Sequence, residues 1–452
     1  MILEGIIRDK KNFFWTCFHV LLGAVCTITP FALIGWFYFI FLFNFGKALR
    51  SLRDSNMFFY IIFFFYLISF ELLDRMAKTS PFLPYELGKY LLVFMGLLGL
   101  FFSKIKYKLG LFLVLLVLPA VFYDYSNNVV FNDIVNTLFA PLSIGLVLAF
   151  IYKRRINEND LDKVLKVLWL TCLSSLVFTF IRTPDLDEIT FSLKAQFDTT
   201  GGHSSNQVST ILGLGVFLSF YSIFKKLKFS GYYFLDIFIF TLFIFQSLLS
   251  FSRGGVIVAF VGIIMMSYRE ILRQRLKGVI ITLSASIFIY VVFTITNNLT
   301  GGFLVLRYQG ETQGTLNGTR DKSADILLSG RLGIFTEDIE LWNKSPIIGN
   351  GCGSSRYMRP HEEEYVAAHI ELSRLMAEHG IFGLLYFFIL VAQVFFVIKR
   401  TDNPSTRRIM YALFSIAVLT TFHAAMRTYL TPALIILSCL SISPDNKLIH
   451  KN

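Results

Sequence analysis

Charge is scarce in this chain. Asp, Glu, Lys and Arg make up 16% of its 452 residues, while 55% are hydrophobic; an ordinary soluble domain carries about 25% charged residues. That leaves too little polar material to cover a soluble fold of this size. Cysteine is scarce too. Of Cys17, Cys26, Cys172, Cys352 and Cys439, four fall in apolar runs and Cys352 alone falls in a polar loop, which excludes a disulfide framework there. A small-residue cleavage site is also missing. The N-terminus has basic residues and an apolar run, as a signal peptide would, but the run continues into a second apolar stretch and reads as an uncleaved first helix. There is no internal repeat, and the one compositional bias is Phe, with 50 residues, which lipid-facing helices account for.

What is present is a series of apolar runs, such as Met57–Phe70, Leu109–Leu118 and Ile381–Ile398. A span needs about 20 mostly apolar residues, and its backbone groups must pair internally, which makes each a helix. Fourteen candidates result, at about 12–29, 31–47, 57–73, 88–103, 109–123, 134–152, 161–181, 206–224, 229–249, 254–268, 278–297, 366–398, 409–426 and 430–443. Pro30 and Pro432 mark weak boundaries, so a re-entrant first or last pair would reduce the count to twelve. The net charge of +12 sits in clusters: Arg8/Lys10/Lys11, Lys47/Arg50/Arg53, Lys104/Lys106/Lys108, Lys153/Arg154/Arg155, Lys225/Lys226/Lys228, Arg269/Arg273/Arg275/Lys277 and Lys399/Arg400/Arg407/Arg408. With fourteen spans and a cytoplasmic N-terminus, all fall on one side, as the positive-inside rule requires. The basicity therefore reports topology and excludes nucleic acid as a partner. The expected fold is an all-α polytopic membrane protein with 12–14 transmembrane helices and one large outside loop, about 298–365, containing a helix over Arg331–Asn343 whose Ile334, Ile339, Leu341 and Trp342 supply a partly apolar face.

Ionisable residues at span ends are expensive and are functional candidates. Three regions qualify, all on the outside face. In Phe251-Ser252-Arg253-Gly254-Gly255, a guanidinium sits beside a helix N-terminus, an arrangement suited to phosphate; the alternative is a tight turn whose Arg snorkels to headgroups. Arg182 ends the seventh span and either holds an anion or pairs with Asp185, Asp187 and Glu188. Beyond it, Gly202-His203-Ser204-Ser205-Asn206 reads as a helix cap with His203 at the surface. The third region runs from His369 to Gly383. At 100° per residue, His369, Ser373, Met376, Gly380 and Gly383 share one face, and Glu371, Arg374 and Glu378 share the opposite one, where Arg374 bridges both carboxylates. Residues 366–380 are expected at the outer interface, with Gly380 as a bend. A neutral His there can take a proton from a hydroxyl near pH 7; the alternative is a hydrogen-bonded interfacial His.

Two motifs are set aside. Pro346-Ile-Ile-Gly349-Asn-Gly351-Cys-Gly353 lacks the Lys-Ser/Thr of a nucleotide loop. His361-Glu362-Glu363-Glu364 lacks a second His at i+4, so a solvated acidic run is favoured over a carboxylate metal site.

Taken in order, these regions resemble the O-antigen ligase and polymerase superfamily of bacterial membrane glycosyltransferases. His369 through Gly383 resembles its His motif, in which glycines follow eleven and fourteen residues later, although Ile370 replaces the usual polar residue after His. Arg331…Trp342…Pro346-Ile-Ile-Gly349-Asn-Gly351 and Phe251-Ser252-Arg253-Gly254 resemble two further segments, and Gly202–Asn206 resembles another weakly. The resemblance covers roughly 180–400. It implies a fold similar to GT-C enzymes and a multi-pass bacterial inner-membrane protein with a periplasmic active site. It implies a glycan donor on undecaprenyl diphosphate, Arg253 and Arg182 on the diphosphate, and His369 as the base or orienting group. Arg331, Arg374 and Ser252 are accessory candidates, and no metal or other cofactor is implied. A ligase would use lipid A-core as acceptor, and a polymerase a second lipid-linked glycan; ligase is favoured. A lipid-linked oligosaccharide flippase is the alternative of another class, disfavoured because no paired half-repeats are visible and the charges crowd to one face. The implied organisation is N-terminal spans over 1–181, spans with the Arg clamp over 182–297, the loop and His motif over 298–380, and C-terminal spans over 381–452.

Overall fold

A computed structural model describes residues 2–7, 11–53, 57–103, 106–194, 196–273, 276–359 and 368–444. Helix dominates. The strands among the described residues are Arg155–Asn157 and Ser441–Ser443, which pair in parallel with Arg155 opposite Ser441. Among the described residues, seven helices are long and apolar enough to cross a membrane: Phe31–Arg53, Phe131–Ile151, Glu158–Arg182, Ser205–Lys225, Arg253–Arg273, Thr282–Leu299 and Glu371–Lys399. Shorter apolar helices accompany them at Asn12–Cys26, Leu87–Phe102, Lys108–Val121 and Tyr233–Leu249. The chain is an all-α polytopic membrane protein.

Every expected apolar segment carries a helix, but two fall short. Segment 57–73 is divided into Phe58–Ile68 and Glu71–Ala77. Segment 430–443 yields the nine residues Leu430–Ser438 before the chain turns into a strand; nine residues rise about 13 Å, under half the hydrocarbon core. The acidic run His361–Glu364 and the cluster members Arg8, Lys10, Lys104 and Arg275 lie outside the described residues.

The chain divides into two units. The first comprises Met1–Asn44, Leu72–Tyr85 and Lys163–Leu327. Its centre is the helix Ser205–Lys225, packed on Tyr233–Leu249 and Arg253–Arg273. The second contact is close because glycines meet there: a Cβ on Gly213 would run into the Gly255 carbonyl, and one on Gly255 into the Ser209 backbone. In lipid, where no hydrophobic force draws helices together, such small-residue seams supply the contact. The turn before Tyr233–Leu249 is tied by buried Asp236, which accepts from Phe229 N at 3.0 Å, Ser230 N at 2.8 Å and Ser222 Oγ at 2.6 Å.

The second unit comprises Phe45–Glu71, Glu86–Asp162 and Leu328–Asn452. The helix Phe131–Ile151 is its axis and packs on Leu87–Phe102, Lys108–Val117 and Leu430–Ser438. Pro141 lies inside that axis. Proline has no N–H to offer the carbonyl four residues back, so the Thr137 carbonyl is released from the helix ladder. Its new partner is Arg374, whose Nη2 donates to it at 3.0 Å. The expected loop helix is present as Arg331–Lys344, with Leu341 of the partly apolar face and Asp338 as its buried residues. Asp338 is enclosed because it is paired: Arg359 donates to it through Nη2 at 2.6 Å and Nε at 3.1 Å, and Ser373 Oγ at 2.6 Å.

Candidate active site

In the first unit the Ser-Arg-Gly segment is built by a strained turn. Phe251 has φ +55, a left-handed backbone uncommon for a bulky residue. Arg307 straps the turn, donating from Nε to the Phe251 carbonyl at 3.3 Å and from Nη1 to the Leu193 carbonyl at 2.8 Å. The helix then opens at Arg253 itself. Beside it opens Ser205–Lys225, preceded by the Gly202–Ser204 turn. The two openings are stitched together: Ser252 Oγ donates to Asn206 Oδ1 at 2.9 Å, and Ser209 Oγ donates to the Ser252 carbonyl at 2.9 Å. Two helix N-termini thus lie side by side, and Arg253 stands at their junction. Each end carries about half a positive charge, so the place favours an anion. Tyr308 is close to Arg253: burial raises its phenol above the ordinary value, and the Arg253 charge pulls the other way.

Arg75, one of the scattered loop charges outside the basic clusters, belongs to this neighbourhood. It is 5% exposed, donates to Gln207 Oε1 at 2.7 Å and to the Tyr85 carbonyl at 2.9 Å, and lies over the Tyr85 ring at 4.7 Å. His203 is half-buried rather than a surface cap residue. Its Nε2 lies 3.2 Å from Gln207 Oε1, and burial, with the Arg75 charge as a lesser cause, lowers its pKa. Arg182 is exposed; it donates to the Thr27 carbonyl at 2.7 Å and lies over the Phe178 ring at 5.9 Å. Among the described residues it makes no ion pair with Asp185, Asp187 or Glu188.

In the second unit the His motif departs from a continuous helix. The helix starts at Glu371, with Ile370 extended before it, so His369 is not on its face with Ser373 and Met376. His369 sits in the entering segment, half-buried, and is held through its backbone: Ala425 N donates to its carbonyl at 3.0 Å, and Arg427 Nη2 donates to the adjacent Ala368 carbonyl at 2.8 Å. Glu371 N in turn donates to the Thr421 carbonyl at 2.9 Å. Ala425 has φ +49, so the clamping segment itself is strained, as residues at functional sites often are. Burial, and after it the charge of Arg374, lowers the Arg427 guanidinium to about 10; Arg359 and Arg331 add to the effect. His369 therefore lies beside a concentration of guanidinium groups. Arg331 itself opens the loop helix and donates from Nη1 to the Leu328 carbonyl at 3.4 Å.

The charged ladder is present and enclosed. Arg374 Nη1 donates to Glu378 at 2.7 Å, and its other nitrogens hold Glu371. All three residues are at most 5% exposed, so the ladder is enclosed by protein.

At Gly380 the helix breaks, with φ +60 and ψ −140. The break frees carbonyls above it and an N–H below it, and the Gly-rich loop takes them up. Asn350 N donates to the Ala377 carbonyl at 3.0 Å and Gly351 N to the Glu378 carbonyl at 3.1 Å, while Ile381 N donates to the Pro346 carbonyl at 2.9 Å. The Asn350 side chain adds bonds to the Leu341 and Ala377 carbonyls, each at 2.9 Å. Gly349, at φ +79, passes so close that a Cβ would collide with the Glu378 carbonyl and with Gly380 N. The loop set aside as a failed nucleotide motif is thus the lock of the helix break.

Residues 237–388 match the family model described as O-Antigen ligase. Over that stretch the chain is similar to the O-antigen ligase family. No curated protein matches it. The O-antigen ligase match takes in Arg253, Ser252, Arg331, His369 and Arg374 and stops short of Arg182. It takes in both the Ser-Arg-Gly turn and the loop lock with the His motif, and the matching family is one of glycosyltransferase-like ligases.

Proposed function

We propose that the protein is a bacterial inner-membrane O-antigen ligase. It moves a glycan from undecaprenyl diphosphate to a hydroxyl of lipid A-core on the periplasmic face, without a metal in the transfer step. The observation that carries this reading is the pair of stitched helix N-termini with Arg253, itself inside the family-matched region, at their junction: the arrangement suits a diphosphate as negative charge develops on the leaving oxygen. Arg182 is assigned as a second donor to that group. His369 is assigned to the acceptor hydroxyl, taking its proton or orienting it, with its backbone fixed by Ala425 and Arg427. Arg374 is assigned to the interior ladder and does not touch substrate; Arg331 contributes to the positive field near His369, and Ser252 aligns the two N-termini.

Polymerisation, in which a second lipid-linked repeat is the acceptor, uses the same donor chemistry. Reconstitution with a lipid-linked glycan donor decides between them when lipid A-core and a second lipid-linked repeat are offered separately. Product on lipid A-core supports ligation, and chain extension supports polymerisation. Donor crossing the bilayer without product on either acceptor would refute both in favour of a flippase.

A further inference from the structure

The Gly-rich lock brings three metal-ligating side chains together that the transfer chemistry does not use. Cys352, Glu378 and His379 are each buried, and their ligand atoms all lie within 4.8 Å of one another. His379 is 1% exposed, and neither of its ring nitrogens makes a hydrogen bond of normal geometry among the described residues. The Val117 carbonyl lies beside the ring, and a backbone carbonyl is the outer partner that a metal-bound imidazole commonly has. Glu378 accepts Ser355 Oγ at 2.8 Å on one oxygen and Arg374 Nη1 at 2.7 Å on the other, and the Gly353 N–H also acts on the carboxylate; a carboxylate oxygen offers two lone pairs, so these donors leave the group at least one. Thr137 Oγ1 lies 3.2 Å from Cys352 Sγ and 2.7 Å from the Asp133 carbonyl. Its single proton can therefore serve either the carbonyl or a thiolate.

We propose that Cys352, Glu378 and His379 form a binding site for one divalent cation of the zinc class, which pins the Gly-rich loop to the helix break at Gly380. The mixed sulfur, nitrogen and oxygen donor set suits zinc rather than magnesium or calcium, which take oxygen ligands. With metal–ligand bonds of about 2.0–2.3 Å, the donors need to close by roughly 1 Å, within reach of side-chain rotation. Adjacent residues Glu378 and His379 both face the site because the helix ends there. Water would complete a four-coordinate shell.

The test uses the full chain in detergent, stripped with a chelator and then given Zn2+ or Co2+ alone. Zinc should bind at one ion per chain and raise the thermal midpoint. Cobalt should develop a near-ultraviolet thiolate-to-metal charge-transfer band. Cys352→Ser should abolish that band and weaken cobalt binding at least tenfold. His379→Gln, which keeps the ring's volume approximately, should weaken binding at least tenfold while leaving the band at saturation. Cys17→Ser, at the exposed cysteine, should change neither. Monodisperse elution and native tryptophan fluorescence identify folded variants. If Cys352→Ser does not fold, the His379→Gln affinity and the wild-type band still decide. Wild-type protein that takes up no stoichiometric zinc, or that binds cobalt without a thiolate band, overturns the proposal. The readout is metal content and spectrum, so failure of glycan transfer does not bear on it.

Discussion

Replacing Gly380 by alanine tests whether the helix break is imposed by this residue. Two costs add. A φ of +60 with ψ −140 is a sparsely populated backbone for any L-residue, costing about 1–3 kcal/mol. The new methyl would also meet the Ile347 carbonyl and Gly349 N, backbone atoms that Ile381 and the loop hold in place; overpacking of that kind costs about 1–3 kcal/mol. Together they predict a loss of roughly 2–6 kcal/mol, a large part of the stability of an ordinary domain. Gly35→Ala is the control. Gly35 is helical, and nothing lies within 4 Å of the place its new methyl would take, so the same chemical change should be neutral or stabilise by about 0.5–1 kcal/mol. Equilibrium unfolding in detergent, followed by tryptophan fluorescence, measures both. Gly380→Ala within about 0.5 kcal/mol of the unmodified chain would show that the break is tolerant and would refute the account of the lock, since surface-like changes fall in that range.

Arg253→Ala should lower transfer by about 10²-fold or more with the protein still folded, the usual effect of removing one donor from a developing anion, and Arg253→Lys should rescue only in part because a point charge lacks the bidentate fork; near-normal transfer by Arg253→Ala in membranes leaves only a snorkelling turn. His369→Ala should lose transfer yet retain the lipid-diphosphate donor in a binding assay, and loss of donor binding would remove the assignment to the acceptor side. Arg374→Ala should cost about 3–5 kcal/mol of stability by stranding two buried carboxylates, visible as reduced yield and a lower unfolding midpoint; a stable variant impaired only in turnover would make Arg374 a substrate contact instead. Single cysteines introduced in the 298–359 stretch should react with an impermeant thiol reagent in intact cells and those in 269–273 should not, and the reverse pattern would invert the topology.

Much of the architecture was legible because lipid leaves the chain few choices. Apolar runs must become helices, and all fourteen segments did, while the loop helix appeared within a residue of its expected end. The failures have a common cause. Helical periodicity placed His369 on a face with Ser373 and Met376, yet periodicity says nothing about where a helix begins, and Glu371 starts it because its N–H finds the Thr421 carbonyl from a distant part of the chain. Glu371 and Glu378 look too polar for an interior until Arg374 is seen to take both, together with the Thr137 carbonyl that Pro141 releases. Arg427 was passed over although a cation between two apolar runs is a functional candidate by the cost argument alone.

The Pro-x-x-Gly-x-Gly stretch and the two glycines of the His motif are the clearest case of meaning shared between distant segments. Read singly, the first is a defective phosphate loop and the second a helix with a soft point. Together they are donor and acceptor of one backbone repair: the break at Gly380 strands the Ala377 and Glu378 carbonyls, and the loop from Pro346 to Gly351 arrives close enough to satisfy them only because position 349 carries no side chain. Gly383 completes the arrangement, since a Cβ there would strike the Leu375 carbonyl across the break. An insertion of one residue between Gly349 and Gly351 would shift the loop N–H groups off both carbonyls at once. The spacing of the motif is therefore set by the repeat of the broken helix.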